Sequence, residues 1–399
     1  MGLAVIDFGL TDTQLAWQRR AREFTFRELV PRRTELDGYN EFPRELYRKA
    51  FDEGFLKISM PTDVGGDGLP FLDTLIAVEE VSYGDLGFAT SLFVQWLAMG
   101  AVLVFGNQEQ RQRWIAPMTR ELQFCSFALT EPHAGSAGFQ LARTTARVRG
   151  DRYLLSGTKC YITNSPVAEW LAVFASVEPS PFPSGQSSLS CFVVRRDTPG
   201  LTVRTPYLKL GQRASATGEV TLDEVEVDAS ALIGRVGQGP EIALTSLNRT
   251  RTGIGIMGVG VARAARDLVI QFAYDRRTFG NKRLITQQDY RFRLADIDVQ
   301  IQAARLIGWR SGWELEHGTE ASRWASTSKL FGSNMAAAVT GEAVEMLGGL
   351  GYMQHGVVEK LMRDAKLLQI YEGATAVQKG LIAEYATKRE PWMMTAPGT

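Results

Sequence analysis

Apolar residues recur at helical spacing near both ends of the chain, whereas the middle carries short β-rich runs. Thr11 followed by Gln14 predicts a capping box opening a first helix, and Pro43 suits the first turn of a second helix that ends near Gly54. Gly65, Gly66 and Gly68 mark a loop, after which 71–120 reads as three more helical stretches with Leu, Phe, Trp and Val on recurring faces. From Gln123 the runs ARVRG, YLLSG, WLAVFASV and LSCFVVRR alternate with turn formers such as Gly150-Asp151 and Pro199-Gly200. The proline-rich stretch 179–188 is too polar for a strand and is expected as a surface loop. Beyond Gly239 helical spacing returns, with Val261, Ala265, Leu268 and Phe272, then Leu294, Ile297, Ile301 and Ala304, and stripes after 320 and 375. Four long helices imply a bundle. The expected class is a multidomain α+β protein: an all-helical domain over 1–122, a β-barrel or sandwich-like domain over 123–237, and a helical bundle with a short tail over 238–399. Gly253, Gly255, Gly258 and Gly260 lie inside a predicted helix, where they point either to a bound ligand or to close helix packing.

Lys plus Arg and Asp plus Glu each number 44, so the balance is zero and offers no excess charge for nucleic acid or an anionic bilayer. Three cysteines and three histidines, scattered without ligand spacing, predict reduced packing thiols and no metal. The stretch Leu86 to Phe105, interrupted by Gln95, reads as a buried helix in preference to a membrane span. The N-terminal stretch has no export or myristoylation pattern, so a soluble cytoplasmic protein is expected.

Five segments could carry chemistry. FALTEPHAGSAG, from Phe127 to Gly138, can turn backbone donors toward a ligand or simply connect two domains. GTKCYITN puts Tyr161 and Thr163 on one strand face, where they could clasp a planar ring or pack across strands. DRRTFG at 275–280 could grip a pyrophosphate, or its arginines could complement a helix dipole. EMLGGLG at 345–351 lacks the setting of a dinucleotide fingerprint. Glu372, between an aromatic and a glycine, is in isolation most simply a solvated carboxylate.

Together and in order, TEPHAGS (130–136), YITN (161–164), RRTFG (276–280), LGGLG (347–351) and IYEG (370–373) resemble the acyl-CoA dehydrogenase family of flavoproteins over essentially the whole chain. The resemblance implies FAD between the β domain and the bundle, lined by Phe127, Leu129, Thr130 and Ser136, with Tyr161 stacking where Trp is usual and Thr163 bonding the flavin. Arg276, Phe279, Gln288, Glu345, Gly348, Gly349 and Thr375 complete the cofactor set, several of them reaching a neighbouring subunit's FAD, so a homo-oligomer, dimer or tetramer, is implied. Glu372 is the implied base. It would take the α-proton of an acyl thioester, on CoA or on a carrier protein, while the β-hydrogen leaves as hydride to the flavin, giving the trans-2-enoyl product. Ser136, Asn248, Arg251, Tyr371 and Gly373 would touch the substrate, and an electron-transferring flavoprotein would accept the electrons. Some relatives carry the base at the position of Thr250, which cannot do that work. Ala137, Asn248, Glu345, Ala374 and Ala376 depart from the family pattern, Glu345 needing compensation from Arg276 or Arg277, and one extra residue lies between Gly280 and Gln288. An oxidase or monooxygenase on the same fold, or a flavin-free scaffold, are the alternatives.

Overall fold

A computed structural model describes residues 9–38, 41–136, 141–183, 186–205 and 207–388. The chain runs helices, sheet, helices. The capping box forms at Thr11 and Gln14 and opens α1 (Asp12–Phe24), and α2 (Arg44–Asp52) starts directly after Pro43. Over 71–120 five helices form where three stretches are expected. These include α3 (Phe71–Gly84), α4 (Leu86–Phe93), α5 (Trp96–Phe105) and α6 (Gln108–Trp114), followed by the short Ala116–Arg120. The extra breaks have local causes: Asp85 caps α4 by accepting from the Phe88 N–H, and Asn107 opens α6 with its own capping box. The apolar stretch Leu86–Phe105 is therefore two consecutive core helices, 78% buried over its most apolar window.

Eight strands form one sheet: β1 (Cys125–Ala128), β2 (Thr145–Arg149), β3 (Arg152–Thr163), β4 (Trp170–Glu178), β5 (Leu189–Arg195), β6 (Leu201–Arg204), β7 (Thr217–Asp228) and β8 (Leu232–Ile233). Their order is β6-β7-β3-β2-β4-β5-β8, with β1 parallel to β4. Leu171, Val173 and Ala175 of β4 face a core with Leu155, Val220 and Val225, whereas Trp170, Ala172 and Phe174 on its other face meet Trp114 and Met118. Alternation thus lets one strand serve two cores. All three cysteines are free and buried.

The second helical block holds α7 (Gly239–Asp275), α8 (Gln288–His317), α9 (Ala321–Leu347), α10 (Val358–Leu368) and α11 (Thr375–Ala386). Three of these are long, while α10 and α11 are short. The glycines of α7 divide between the two explanations. A Cβ on Gly255 would stand 2.5 Å from the Ser328 carbonyl oxygen, and one on Gly258 2.5 Å from that of Gly332, so both serve close approach to α9. Gly260 does the same against Glu79 of α3. Gly253 alone faces open space. The two helical blocks share one apolar core and a buried charge cluster in which Glu79 and Glu80 of α3 accept from Arg263 of α7, and Arg305 of α8 joins through Glu79. Lys360 of α10, wholly paired between Asp85 and Asp364, ties the C-terminal block to the cap of α4.

Candidate active site

The loop after β1 is fixed from below. Glu131 is buried and accepts from Lys159 Nζ at 2.7 Å and from the Arg143 and Thr144 N–H groups. Burial opposes the ionised form, but the Lys159 and Thr144 bonds and the lysine charge outweigh it and hold the carboxyl at about 2. Lys159 also donates to the Leu129 carbonyl, and the Cys160 N–H to that of Thr130, so this loop lies along β3. Phe127 packs its ring 4.7 Å from that of Phe174, which supports the start of the loop. Ser136 is exposed; Ala137 lies outside the described residues.

Tyr161 does not follow plain strand alternation. The register of β3 against β7 shifts between Lys159 and Ile162, and Tyr161 takes a left-handed φ of 59°. That bulge leaves its ring 67% exposed, tilted against Tyr207, with Thr163 half-buried two residues on. The next residue, Asn164, donates to the Ser91 carbonyl of α4 at 2.9 Å. Beside Ser91, the Thr90 hydroxyl lies 3.3 Å from the Tyr371 hydroxyl and donates to Gln212. This short chain of polar contacts joins the exposed face of β3 to the turn that carries Glu372.

Glu372 stands between α10 and α11. Neither carboxylate oxygen is exposed, and neither has a hydrogen-bond partner among the described residues. Thr250 lies beside them, but its hydroxyl donates to the Ser246 and Leu247 carbonyls of its own helix. Burial pushes the Glu372 carboxyl up to about 7, against the opposing pull of Thr250, Arg251 and Lys329. The sequence's simplest reading, a solvated carboxylate, is overturned because tertiary packing closes over the side chain. Asn248 Oδ1 accepts from Arg251, whose Nε donates to the Glu372 carbonyl at 3.2 Å. Asn248, Arg251, Tyr371, Glu372 and Gly373 are thus brought together.

Thr250 and Gly253 also line a narrow apolar cavity walled by Phe71, Val78, Trp96 and Met257. The rings of Phe71 and Trp96 meet edge to face at 6.3 Å, and the Arg249 guanidinium covers both, 4.3 and 4.8 Å from their centroids.

The residues assigned to a neighbouring subunit's cofactor lie elsewhere. Arg276, Gln288, Glu345, Gly348 and Gly349 are exposed, and the Phe279 side chain lies outside the described residues. Glu345 is compensated by Arg293 at 3.3 Å, not by Arg276 or Arg277; Arg277 turns back on the Asn281 carbonyl. Thr375 spends its hydroxyl proton on the Gln369 carbonyl, leaving lone pairs free. Sequence reasoning missed Trp96, Arg249, Lys329 and Gln378. A lysine among small residues in STSKLFGSN was the one available signal.

Residues 11–121, 126–225 and 237–387 match the N-terminal, middle and C-terminal domain models of acyl-CoA dehydrogenase. The mitochondrial short-chain specific acyl-CoA dehydrogenase of Bos taurus is 36% identical over 381 residues, covering 95% of this chain and 91% of the relative. Butyryl-CoA dehydrogenase from Megasphaera elsdenii superimposes with a TM-score of 0.92 at 32% identity, over 96% of this chain and all (100%) of that one. The prolyl acyl carrier protein oxidase AnaB gives 0.89 at 28% identity, over 95% of this chain and 100% of that one. The chain belongs to the acyl-CoA dehydrogenase family. It is an FAD-dependent flavoprotein and an oxidoreductase acting on CH–CH bonds. The residues present fit that cofactor. An aromatic face is held out by a bulge, a hydroxyl stands two residues away, and a polar link leads from there to a buried carboxylate with no hydrogen-bond partner among the described residues.

Proposed function

We propose that the protein dehydrogenates a short acyl thioester to its trans-2-enoyl form, with Glu372 as the base that removes the α-proton. The single observation carrying this reading is the Glu372 carboxylate: buried, without a hydrogen-bond partner among the described residues and pushed up to about 7, beside an apolar cavity. A group so placed is half ionised at neutral pH and is a better base than an ordinary glutamate. Water exclusion by Tyr371, Thr250 and the cavity wall keeps it so.

The α-proton of a thioester is removable only when the carbonyl oxygen is held by donors as negative charge develops on it. The Glu372 N–H donates to no acceptor among the described residues, which supports it as one such donor. Bound FAD supplies a two-electron acceptor for the hydride from the β-carbon. Phe127, Leu129, Thr130, Ser136, Tyr161, Thr163 and Thr375 would hold the cofactor from one protomer. A second copy would add Arg276, Gln288, Glu345, Gly348 and Gly349, whose exposure supports a homo-oligomer. An electron-transferring flavoprotein is the proposed acceptor, by family resemblance.

Trp96, 2% exposed and backed by Arg249, supports a short acyl group because no other side chain in the cavity is as large. Anaerobic bleaching of the flavin by a panel of acyl-CoA esters tests this reading: butyryl-CoA is expected to bleach it faster than octanoyl-CoA. A protein bleached only by carrier-bound thioesters would move the assignment to a carrier, and rapid peroxide formation without an added acceptor would move it to an oxidase. Silence toward every thioester would overturn it.

A further inference from the structure

We propose that Lys329 of α9 is a positioning residue for this reaction: it anchors the Glu372–Gly373 turn, and its ammonium charge favours the ionised form of the base. The inference rests on Glu372 being that base.

Glu372 and Gly373 are consecutive residues in left-handed conformations, with φ of 53° and 95°. For a glutamate this backbone is strained and persists only where surrounding groups over-determine it. Three helices supply those groups. From α7, Arg251 Nε donates to the Glu372 carbonyl at 3.2 Å. From α11, Gln378 Nε2 donates to the Glu372 and Gly373 carbonyls at 3.3 and 3.0 Å. From α9, Lys329 Nζ donates to the Gly373 carbonyl at 2.7 Å, the shortest bond of the four. Each donor grips main chain, so the carboxylate itself stays free.

Lys329 is 0% exposed, and that bond is the one its ammonium makes among the described residues. A fully buried lysine is normally neutralised by a carboxylate. Here the charged and titratable groups around Glu372 are Arg251 on α7, Lys329 on α9 and the neutral Tyr371, while Thr250 and Gln378 carry no charge. Burial pulls the lysine down to about 8, with Glu372 opposing that shift and Arg251 adding to it. The two cations differ in what they can do. Arg251 is permanently charged, whereas Lys329 sits where its charge and that of Glu372 sustain each other.

The holoprotein carrying Lys329→Met or Lys329→Gln tests this. Gln retains a donor for the Gly373 carbonyl and loses the charge, so it separates anchoring from electrostatics. Both are expected to keep bound FAD. In both, the acidic limb of the rate of flavin reduction by butyryl-CoA should move up by about one pH unit, giving roughly tenfold slower reduction at pH 6.5 and recovery near pH 9. Lys329→Arg should restore the wild-type limb in part. A second readout needs no turnover: the infrared difference titration of the Glu372 carboxylate, read against Glu372→Gln, should shift by the same amount. An unmoved carboxylate midpoint, or a loss equal at every pH, would overturn the proposal. A wild type that titrates as expected but is bleached by no thioester would overturn the functional reading and leave the lysine's effect on the carboxylate measurable.

Discussion

Arg251 donates to the backbone carbonyl of Glu372 and not to its carboxylate. An arginine bonded to the carboxylate would form a stable ion pair and hold the group far below neutral. Gripping the main chain keeps the side chain in place while its oxygens remain available for a proton. The arrangement also explains why Asn248 suits its position, because a neutral amide oxygen can orient Arg251 without competing for its charge.

Replacing Glu372 with Gln removes the base and preserves shape. Flavin content and absorbance should match the wild type, while anaerobic reduction by butyryl-CoA falls by about 10²–10⁴-fold. Stopped-flow absorbance measures both. Normal reduction in this variant would place the base elsewhere.

The raised Glu372 pKa predicts opposite trends for activity and stability. The base must be ionised, so kcat/KM should rise about tenfold per pH unit below about 7 and level off above it. An acid whose pKa is higher folded than unfolded contributes stability below its unfolded value of roughly 4.3, and that contribution is lost as pH rises through about 7. Glu372→Gln should therefore melt higher than the wild type at pH 8 and alike at pH 4. Thermal melts at the two pH values read this directly.

Acyl length should respond to two positions in one cavity. Trp96→Leu removes ring volume beside Phe71 and should raise the rate ratio of hexanoyl- to butyryl-CoA by about tenfold, on about 0.8 kcal/mol per accommodated methylene. Gly253→Ala meets nothing within 4 Å and should stabilise α7 by about 0.5–1 kcal/mol while lowering that ratio. Steady-state kinetics with the two esters, together with urea melts, check both.

Lys159→Met should strand the buried Glu131 carboxylate, costing about 3–5 kcal/mol and loosening the loop from Phe127 to Ser136. Faster FAD release and a lower urea midpoint are expected at pH 7.5. The gap should narrow toward pH 5, where the unpaired carboxyl can take a proton. Unchanged FAD retention would show that the loop does not depend on this pair.

Helix, sheet, helix was readable because burial writes itself into spacing: Val261, Ala265, Leu268 and Phe272 line one side of α7, and the strand runs lie between turn formers. The capping box at Thr11 and Gln14 was equally legible, being a contact across three residues. The count over 71–120 was not, because Asp85 and Asn107 break the run by side-chain caps that apolar periodicity does not register.

The site divides along the same line. Order and identity of the five motifs already named Glu372 and Tyr161, since those residues lie in short contiguous segments, and the family resemblance beside Thr250 named Arg251. Distance in the chain hid the rest. Lys329 is 44 residues from the carbonyl it holds, and Trp96 lies far in sequence from the Arg249 that covers it. A carboxylate's environment is likewise a property of what packs over it, so composition and spacing alone leave Glu372 an ordinary solvated acid. The sequence by itself determined which residues could do chemistry and in what kind of fold. Only the convergence of α7, α9 and α11 on one left-handed turn decided that the Glu372 carboxylate is buried, has no hydrogen-bond partner among the described residues and is pushed up to about 7, because desolvation is set by neighbours in space and not by neighbours in the chain.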